Sequence, residues 1–409
     1  MNPLYSIGMR LMGIGARAAS LRSPKIKKIV EGHRNTLPYL KEHVDPQAGY
    51  IWIHAASLGE FEQGRPLIEM IKRELPEKKI LLTFFSPSGY EVRHDFPLVD
   101  AVCYLPFDIK KHVCAFLDAV RPSMAIFIKY EFWGNYLQEL HRRKIPTYII
   151  SAIFRPSQIF FKPWGGMFRS MLRCYTKIFV QDENSKKLLA GLGVNNVVVA
   201  GDTRFDRVTD IVRQGFAIPQ IEAMTRDKSK LTIIAGSSWE PDEAYLIPFF
   251  NSHPEVKMVI APHEVNPARI AGIEKSLKRP FCRLSTAGIE EAEKADCLIV
   301  DCYGKLSSAY RYGKIAYIGG GFGSGIHNIN EAAVYGMPVI FGPNYHKFKE
   351  AADLIACGGA FMFNDRKSFL SAIEPLVSDP VALEKAGKKA ERYIKEHLGA
   401  TERIFSDIF

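Results

Sequence analysis

The chain has 409 residues, 47% hydrophobic and 24% charged, with a formal net charge of +10. That length exceeds one ordinary core, so two domains are expected, and the composition excludes a disordered chain. Its seven cysteines are scattered without any CxxC, which excludes a patterned disulfide framework and points to a reducing, cytoplasmic compartment with no zinc site.

At the amino end, Leu4, Ile7, Leu11, Ile14, Ala18 and Leu21 recur at helical spacing. Residues 1–30 also carry Arg10, Arg17, Arg22, Lys25, Lys27 and Lys28 without one acid. An amphipathic helix lying on an anionic membrane surface is expected there, against the plainer alternative of a helix packed on its own domain. Arg10 and Arg17 break the apolar run well short of the roughly 20 residues that a spanning helix needs.

Apolar runs then alternate with amphipathic segments. Residues 50–55 lead into a helix near 64–75, followed by 79–85; 124–133 lead into a helix near 134–143, followed by 146–154, 177–181 and 196–201. After a polar stretch at 206–230 the rhythm restarts at 231–238, 257–263, 297–304, 314–321 and 337–343, and ends in a charged helical tail. Strands covered on both faces and separated by helices mean parallel sheets. The expected class is α/β: two Rossmann-like domains, 31–210 and 211–380, whose parallel sheets face a central cleft. Helices over 381–409 are expected to pack back toward the first domain. Ligands in such sheets bind beyond the carboxyl ends of the strands, so the loops there are where chemistry is sought.

Four groups of loop residues stand out. In the first, Ser57-Leu58-Gly59-Glu60 follows the first strand. It reads as a capping box, or as a general base, Glu60, with Gly59 leaving room for a ligand. The second is a loop with five glycines in seven residues, 319–325, followed by a helix expected to begin near Ile329. Gly323 and Gly325 let backbone amides approach a phosphate, with Asn328 or Asn330 as helix cap and His327 and Glu331 as ligand contacts. The third comprises the strand ends at 235–243 (Ser237, Ser238), 261–267 (Pro262, His263) and 301–306 (Tyr303, Gly304, Lys305), which with the glycine loop would form four walls of one pocket. The fourth, 128–135 and 201–208, offers Glu131 beside Trp133 to orient an acceptor and Arg204 to neutralise a departing group; buried ion pairing is the plainer reading of both. Between Arg142 and Gln181 lie eight Lys or Arg and no acid, which suits a phospholipid, a phosphorylated substrate or a nucleic acid, although no nucleic-acid-binding module is present.

The segments HAASLGE, KYEFWGN, GDTRFD, GSSWEPDE, APHEVNP and GGGFGSGIHNINEAAVYGMPVIFGP, in this order, resemble the bacterial 3-deoxy-D-manno-octulosonic acid (Kdo) transferases, glycosyltransferase family 30, over nearly the whole chain. The resemblance implies a GT-B fold, and transfer of Kdo from CMP-Kdo to a lipid A precursor on the cytoplasmic face of the inner membrane. It implies Glu60 as proton acceptor and Glu131 and Arg204 as groups that steady the transition state. The CMP site would comprise Pro262, His263, Tyr303, Gly304, Lys305 and Asn328, Ile329, Asn330 and Glu331. A bisphosphorylated, acylated acceptor suits Arg155, Phe160, Phe161, Lys162, Trp164 and Arg169, and the anionic phospholipid surface suits the first helix. The chain departs from the family pattern where His263 replaces the usual Arg and Arg204 the usual Lys. No Asp-x-Asp element follows a strand, so neither metal nor other cofactor is expected. The remaining readings are another GT-B enzyme using a UDP- or GDP-sugar, a sugar-nucleotide epimerase, and a non-enzymatic binder of anionic lipid or nucleic acid.

Overall fold

The structure, a computed structural model, describes residues 3–409. Residues 1 and 2 of the expected amphipathic segment, and the side chain of Leu4 in its apolar stripe, lie outside the described part. The chain divides into two compact units, one running to Arg207 and including Leu398–Phe409, the other Val208–His397.

The first unit is built on seven parallel strands: β1 (Ile51–Ala55), β2 (Ile80–Phe84), β3 (Ala101–Tyr104), β4 (Met124–Ile128), β5 (Thr147–Ala152), β6 (Lys177–Val180) and β7 (Val197–Val199). Their order is β3-β2-β1-β4-β5-β6-β7. Every residue of β1 and β2 is buried, because helices cover both faces of the sheet, and this is why they read as unbroken apolar runs. The order reverses between β1 and β4, where the loops following these strands diverge and leave a crevice.

The second unit repeats the plan with β8 (Leu231–Ser238), β9 (Val256–Pro262), β10 (Phe281–Arg283), β11 (Cys297–Ile299), β12 (Ile315–Ile318), β13 (Val339–Phe341) and β14 (Ala360–Met362). The order β10-β11-β9-β8-β12-β13-β14 reverses between β8 and β12. Strands β3, β10 and β14 are absent from the sequence reading. Each is an edge strand of three or four residues, too short to show a periodicity.

The boundary falls after Arg207 rather than at 210, inside the helix Thr203–Gln214. The polar stretch expected as a break carries that helix and a second, Pro219–Met224. Residues 381–409 are not one segment: the helix Pro380–Glu396 packs in the second unit and Ala400–Ile408 in the first. Asp206 holds the latter, accepting from Gly399 N (2.7 Å), Thr401 N (2.7 Å) and Thr401 Oγ1 (2.6 Å), while Ile404 is buried in the same apolar cluster as Phe61 and Ile68.

The helix Pro3–Ser20 packs by one face and presents the other. Tyr5 Oη donates to Asp108 Oδ2 (2.6 Å) and accepts from Gly134 N (3.0 Å), and Met9 is buried. Ile7, Leu11, Ile14 and Leu21 are exposed, Leu21 at 88%. Among the described residues no helix is long and apolar enough to cross a membrane.

Asp206→Ala should release the carboxyl-terminal helix, because charge-assisted bonds to its first turn are lost. The expected cost is about 2 kcal/mol. Thermal unfolding and faster amide exchange across 400–408 are the readouts.

Candidate functional site

In the first unit the sheet order sets β1 beside β4, so the residues following these strands meet. Glu60 stands in the first turn of the helix Leu58–Glu74. Its Oε2 accepts from Ser57 N (3.1 Å) and Ser57 Oγ (3.3 Å), which is the capping box that the sequence pattern suggests. Capping does not use up the group. A Cβ placed on Gly59 would meet nothing within 4 Å, so the space beside the residue preceding Glu60 is open. Burial raises the Glu60 pKa, and the Glu131 charge raises it further, while His54 and Lys129 pull it back.

Glu131, only 6% exposed, lies behind this surface. His54 Nε2 sits 3.0 Å from its Oε2, Trp133 Nε1 donates to the same oxygen, and the Tyr175 hydroxyl donates to its carbonyl. One oxygen of its carboxylate, Oε2, is thus engaged by protein donors, the buried pairing that the plainer reading foresaw. Arg204 forms the ion pair that the plainer reading foresaw, with Nε 2.9 Å and Nη2 2.7 Å from Asp202 Oδ2. Burial pushes the Asp202 carboxyl up, but Arg204, the hydrogen bonds it donates and the Lys129 charge outweigh burial and leave the pKa lowered. Lys129, in a left-handed conformation at φ 70°, thus acts electrostatically on both Glu60 and Asp202. It went unnoticed in the sequence because only its backbone turn aims it there.

Beside Glu131, a cavity of about 450 Å³ is lined by Tyr130, Phe132, Arg155, Ile159, Phe160 and Phe168 among others, with Arg155 Nη1 donating to Tyr130 Oη at 3.1 Å. Two expectations for this segment change. Phe160 is a core residue, 4% exposed and packed edge-on against Phe132 and Phe154. Arg169 spends its guanidinium on the loop's own carbonyls, those of Phe160 (3.2 Å) and Lys162 (3.0 Å). Phe161 and Lys162 are half-buried, whereas Arg155 and Trp164 are exposed, Trp164 at 71%.

In the second unit the four expected loops converge. His263 stacks on both Trp239 and His327, with centroids 4.6 Å and 4.4 Å away, and Trp239 Nε1 donates to His327 Nε2 at 3.4 Å, so the three rings form one cluster. Pro262 ends β9 and sets His263 in that stack. The Tyr303 hydroxyl accepts from Val265 N (3.2 Å), Gly304 turns the chain at φ 78°, and Lys305 Nζ lies 4.4 Å from the Phe216 ring centroid. A bulge at the end of β8 puts Ser237 at φ 53° and buries Ser238, which donates to Glu243 (2.7 Å). Asp242 ties the glycine loop to the next helix by accepting from Trp239 N (2.9 Å), Gly320 N (3.0 Å) and Tyr317 Oη (2.8 Å). Gly319 admits no side chain, since a Cβ there would lie 2.1 Å from the Ser237 carbonyl oxygen. Asn344 Nδ2 bonds the Gly323 carbonyl (2.9 Å), and Gly325, at φ 137°, packs by Phe348.

The helix expected after the glycine loop is a single turn, Asn330–Ala333, and its cap residue is Ile329, not an asparagine. Gly336, at φ 68°, and Pro338 stop it. Asn328 instead bridges, its Oδ1 accepting from Asn330 N (3.2 Å) and its Nδ2 donating to Glu331 Oε1 (2.9 Å). Glu331 also accepts from Ser307 Oγ (2.5 Å). The Asn330 amide is fully buried, and neither its nitrogen nor its oxygen has a hydrogen-bond partner among the described residues. Such a group calls for a polar partner, a buried water or a ligand atom. No three His, Cys, Asp or Glu residues among those described are grouped so as to hold a metal.

Residues 28–207 match the family model described as 3-deoxy-D-manno-octulosonic-acid transferase (kdotransferase). The 3-deoxy-D-manno-octulosonic acid transferase of Bordetella pertussis is 26% identical over 384 residues, which cover 88% of this chain and 86% of the relative. That of Haemophilus influenzae is 28% identical, covering 87% and 85%, and that of Aquifex aeolicus 27%, covering 83% and 89%. Among solved structures, a UDP-GlcNAc 2-epimerase from Neisseria meningitidis superposes with a TM-score of 0.61 at 16% identity, over 87% of this chain and 98% of its own. MurG of Acinetobacter baumannii gives 0.56 at 11%, over 88% and 99%. These two likenesses bear on the fold alone.

Burial, and then the His263 charge, lower the His327 pKa to about 4. Its ring resonance should therefore titrate near pH 4 by NMR; a midpoint near 6.5, that of a free histidine, would refute the packed stack. Because the unfolded chain takes up this proton first, the ring's contribution to stability is present above about pH 6.5 and is lost as pH falls toward 4.

Proposed function

We propose, from its similarity to the bacterial Kdo transferases, that the chain is a glycosyltransferase that moves Kdo from CMP-Kdo to a lipid A precursor in lipopolysaccharide synthesis. One observation carries the reading: Glu60 has a raised proton affinity, an unobstructed Gly59 before it, and a position at the first sheet's switch point. A carboxylate of raised pKa is a better base for a hydroxyl proton than an ordinary one. Glu60 takes the proton of the acceptor's primary hydroxyl as its oxygen bonds the anomeric carbon. The bond from that carbon to the CMP phosphate breaks, and CMP leaves with the electron pair. A single displacement of this kind inverts the anomeric centre. Arg204 and Lys129 supply positive charge near the developing negative charge.

The donor belongs to the second unit's loops. The Trp239–His263–His327 stack offers aromatic faces, and the buried Asn330 amide supports a polar ligand there. The acceptor's acyl and phosphate groups suit the aromatic cavity rimmed by Arg155, and the exposed Trp164 of the same segment suits an acyl chain. The exposed Ile7, Leu11, Ile14 and Leu21, among Arg10, Arg17 and Arg22, suit peripheral attachment to anionic phospholipid on the cytoplasmic face of the inner membrane. No metal takes part in this scheme.

Glu60→Gln should lower turnover of CMP-Kdo and a tetraacylated lipid A precursor by about 10²–10⁴-fold, read by mass spectrometry. Unchanged turnover would leave Glu60 only its capping role. Chelator should leave the wild-type rate unaltered. Protection of the second unit by UDP and not by CMP would favour a different donor.

A further inference from the structure

His54 is fully buried, yet both ring nitrogens face acceptors. Nδ1 lies 3.1 Å from the Thr83 carbonyl oxygen and 2.9 Å from Thr83 Oγ1. That hydroxyl already accepts from Trp52 Nε1 (2.8 Å) and directs its own hydrogen to the Ile53 carbonyl (3.4 Å). A carbonyl can only accept, so Nδ1 carries hydrogen. Nε2 lies 3.0 Å from Glu131 Oε2, an oxygen that also accepts from Trp133. Two donors converging on one oxygen fit a carboxylate anion facing a doubly protonated ring.

We propose that His54 is a positioning residue, a buried imidazolium that clamps Glu131 and cancels its charge beside Glu60. The register makes this a fixed feature of the sheet: His54 pairs with Thr83 on β2 and with Phe127 on β4, so the ring is set between the strand it hydrogen-bonds and the loop that carries Glu131. A buried ion pair adds little net stability, so the arrangement is better explained by what it does to its neighbour. Glu60 is faced by Glu131, His54 and Lys129. His54 is faced by Glu131 and, from the helix Pro24–His43, by His33, whose pKa falls to about 4, chiefly through burial, and which therefore stays neutral. Without the His54 charge, Glu131 stands uncompensated and Glu60 holds its proton to higher pH. The effect on rate rests on the proposed role of Glu60 as base; the protonation of His54 does not.

Two measurements on the full chain separate these. In 15N NMR, with the ring signals assigned by difference from His54→Gln, both His54 nitrogens should carry hydrogen at neutral pH. One bare nitrogen at neutral pH overturns the proposal. In the pH profile of kcat, His54→Gln should move the acid limb up by a unit or more while the donor KM holds and the rate recovers at alkaline pH. An equal loss at every pH, or an unmoved limb, refutes the charge role. Glu131→Gln, which keeps the shape of the pair, should move the limb the other way; this variant serves if His54→Gln does not fold. An active Glu60→Gln alongside a protonated His54 would sink the base assignment and leave the imidazolium standing.

Discussion

Strands β1 and β2 of the first sheet and β9 of the second have no exposed residue, and this burial on both faces decides where polar chemistry can stand. A charged side chain inside either layer would lose its hydration without recompense. Reactive groups are therefore pushed to the carboxyl ends of strands, and the reversals of strand order hold two such ends apart in each unit. Glu60 and Glu131 follow the two strands at one reversal. Trp239 and the glycine loop follow the two at the other.

Two residues within these strands are exceptions: Lys257 near the start of β9, whose ammonium donates to the Met224 and Ala295 carbonyls, and His54. It lies within β1 itself, and the sheet tolerates it because both ring nitrogens are satisfied by the neighbouring strand and by Glu131. The same economy governs Glu60, where one oxygen serves the helix start. Its proton affinity is set by burial and by a neighbouring carboxylate, so capping and proton transfer are not rival readings of this residue. Holding the carboxylate by its own helix start also fixes its rotamer, which a proton acceptor requires.

Much of this is legible in the residues. Continuous apolar runs give the buried strands, and Ser57-x-x-Glu60 gives the cap, because both signals are local. The short edge strands β3, β10 and β14 leave no such trace. A helix is legible after the glycine loop because Glu331, Ala332 and Ala333 favour one, but Gly336 and Pro338 hold it to one turn. Counting basic and aromatic residues between 142 and 181 says nothing about direction, so Phe160 and Arg169 read as surface contacts while one fills the core and the other ties down its own loop. The stack of Trp239, His263 and His327 draws on loops after three different strands. No spacing in one sequence encodes such an encounter.

The first unit is discontinuous in the chain: Ile404, buried beside Phe61, arrives about 190 residues after the rest of its neighbours have been made. On the ribosome, the nascent sheet β1–β7 must wait, with part of its apolar surface bare, until the entire second unit has been synthesised and residues 398–409 emerge. A premature stop within the final helix would accordingly impair the half of the protein that was synthesised first.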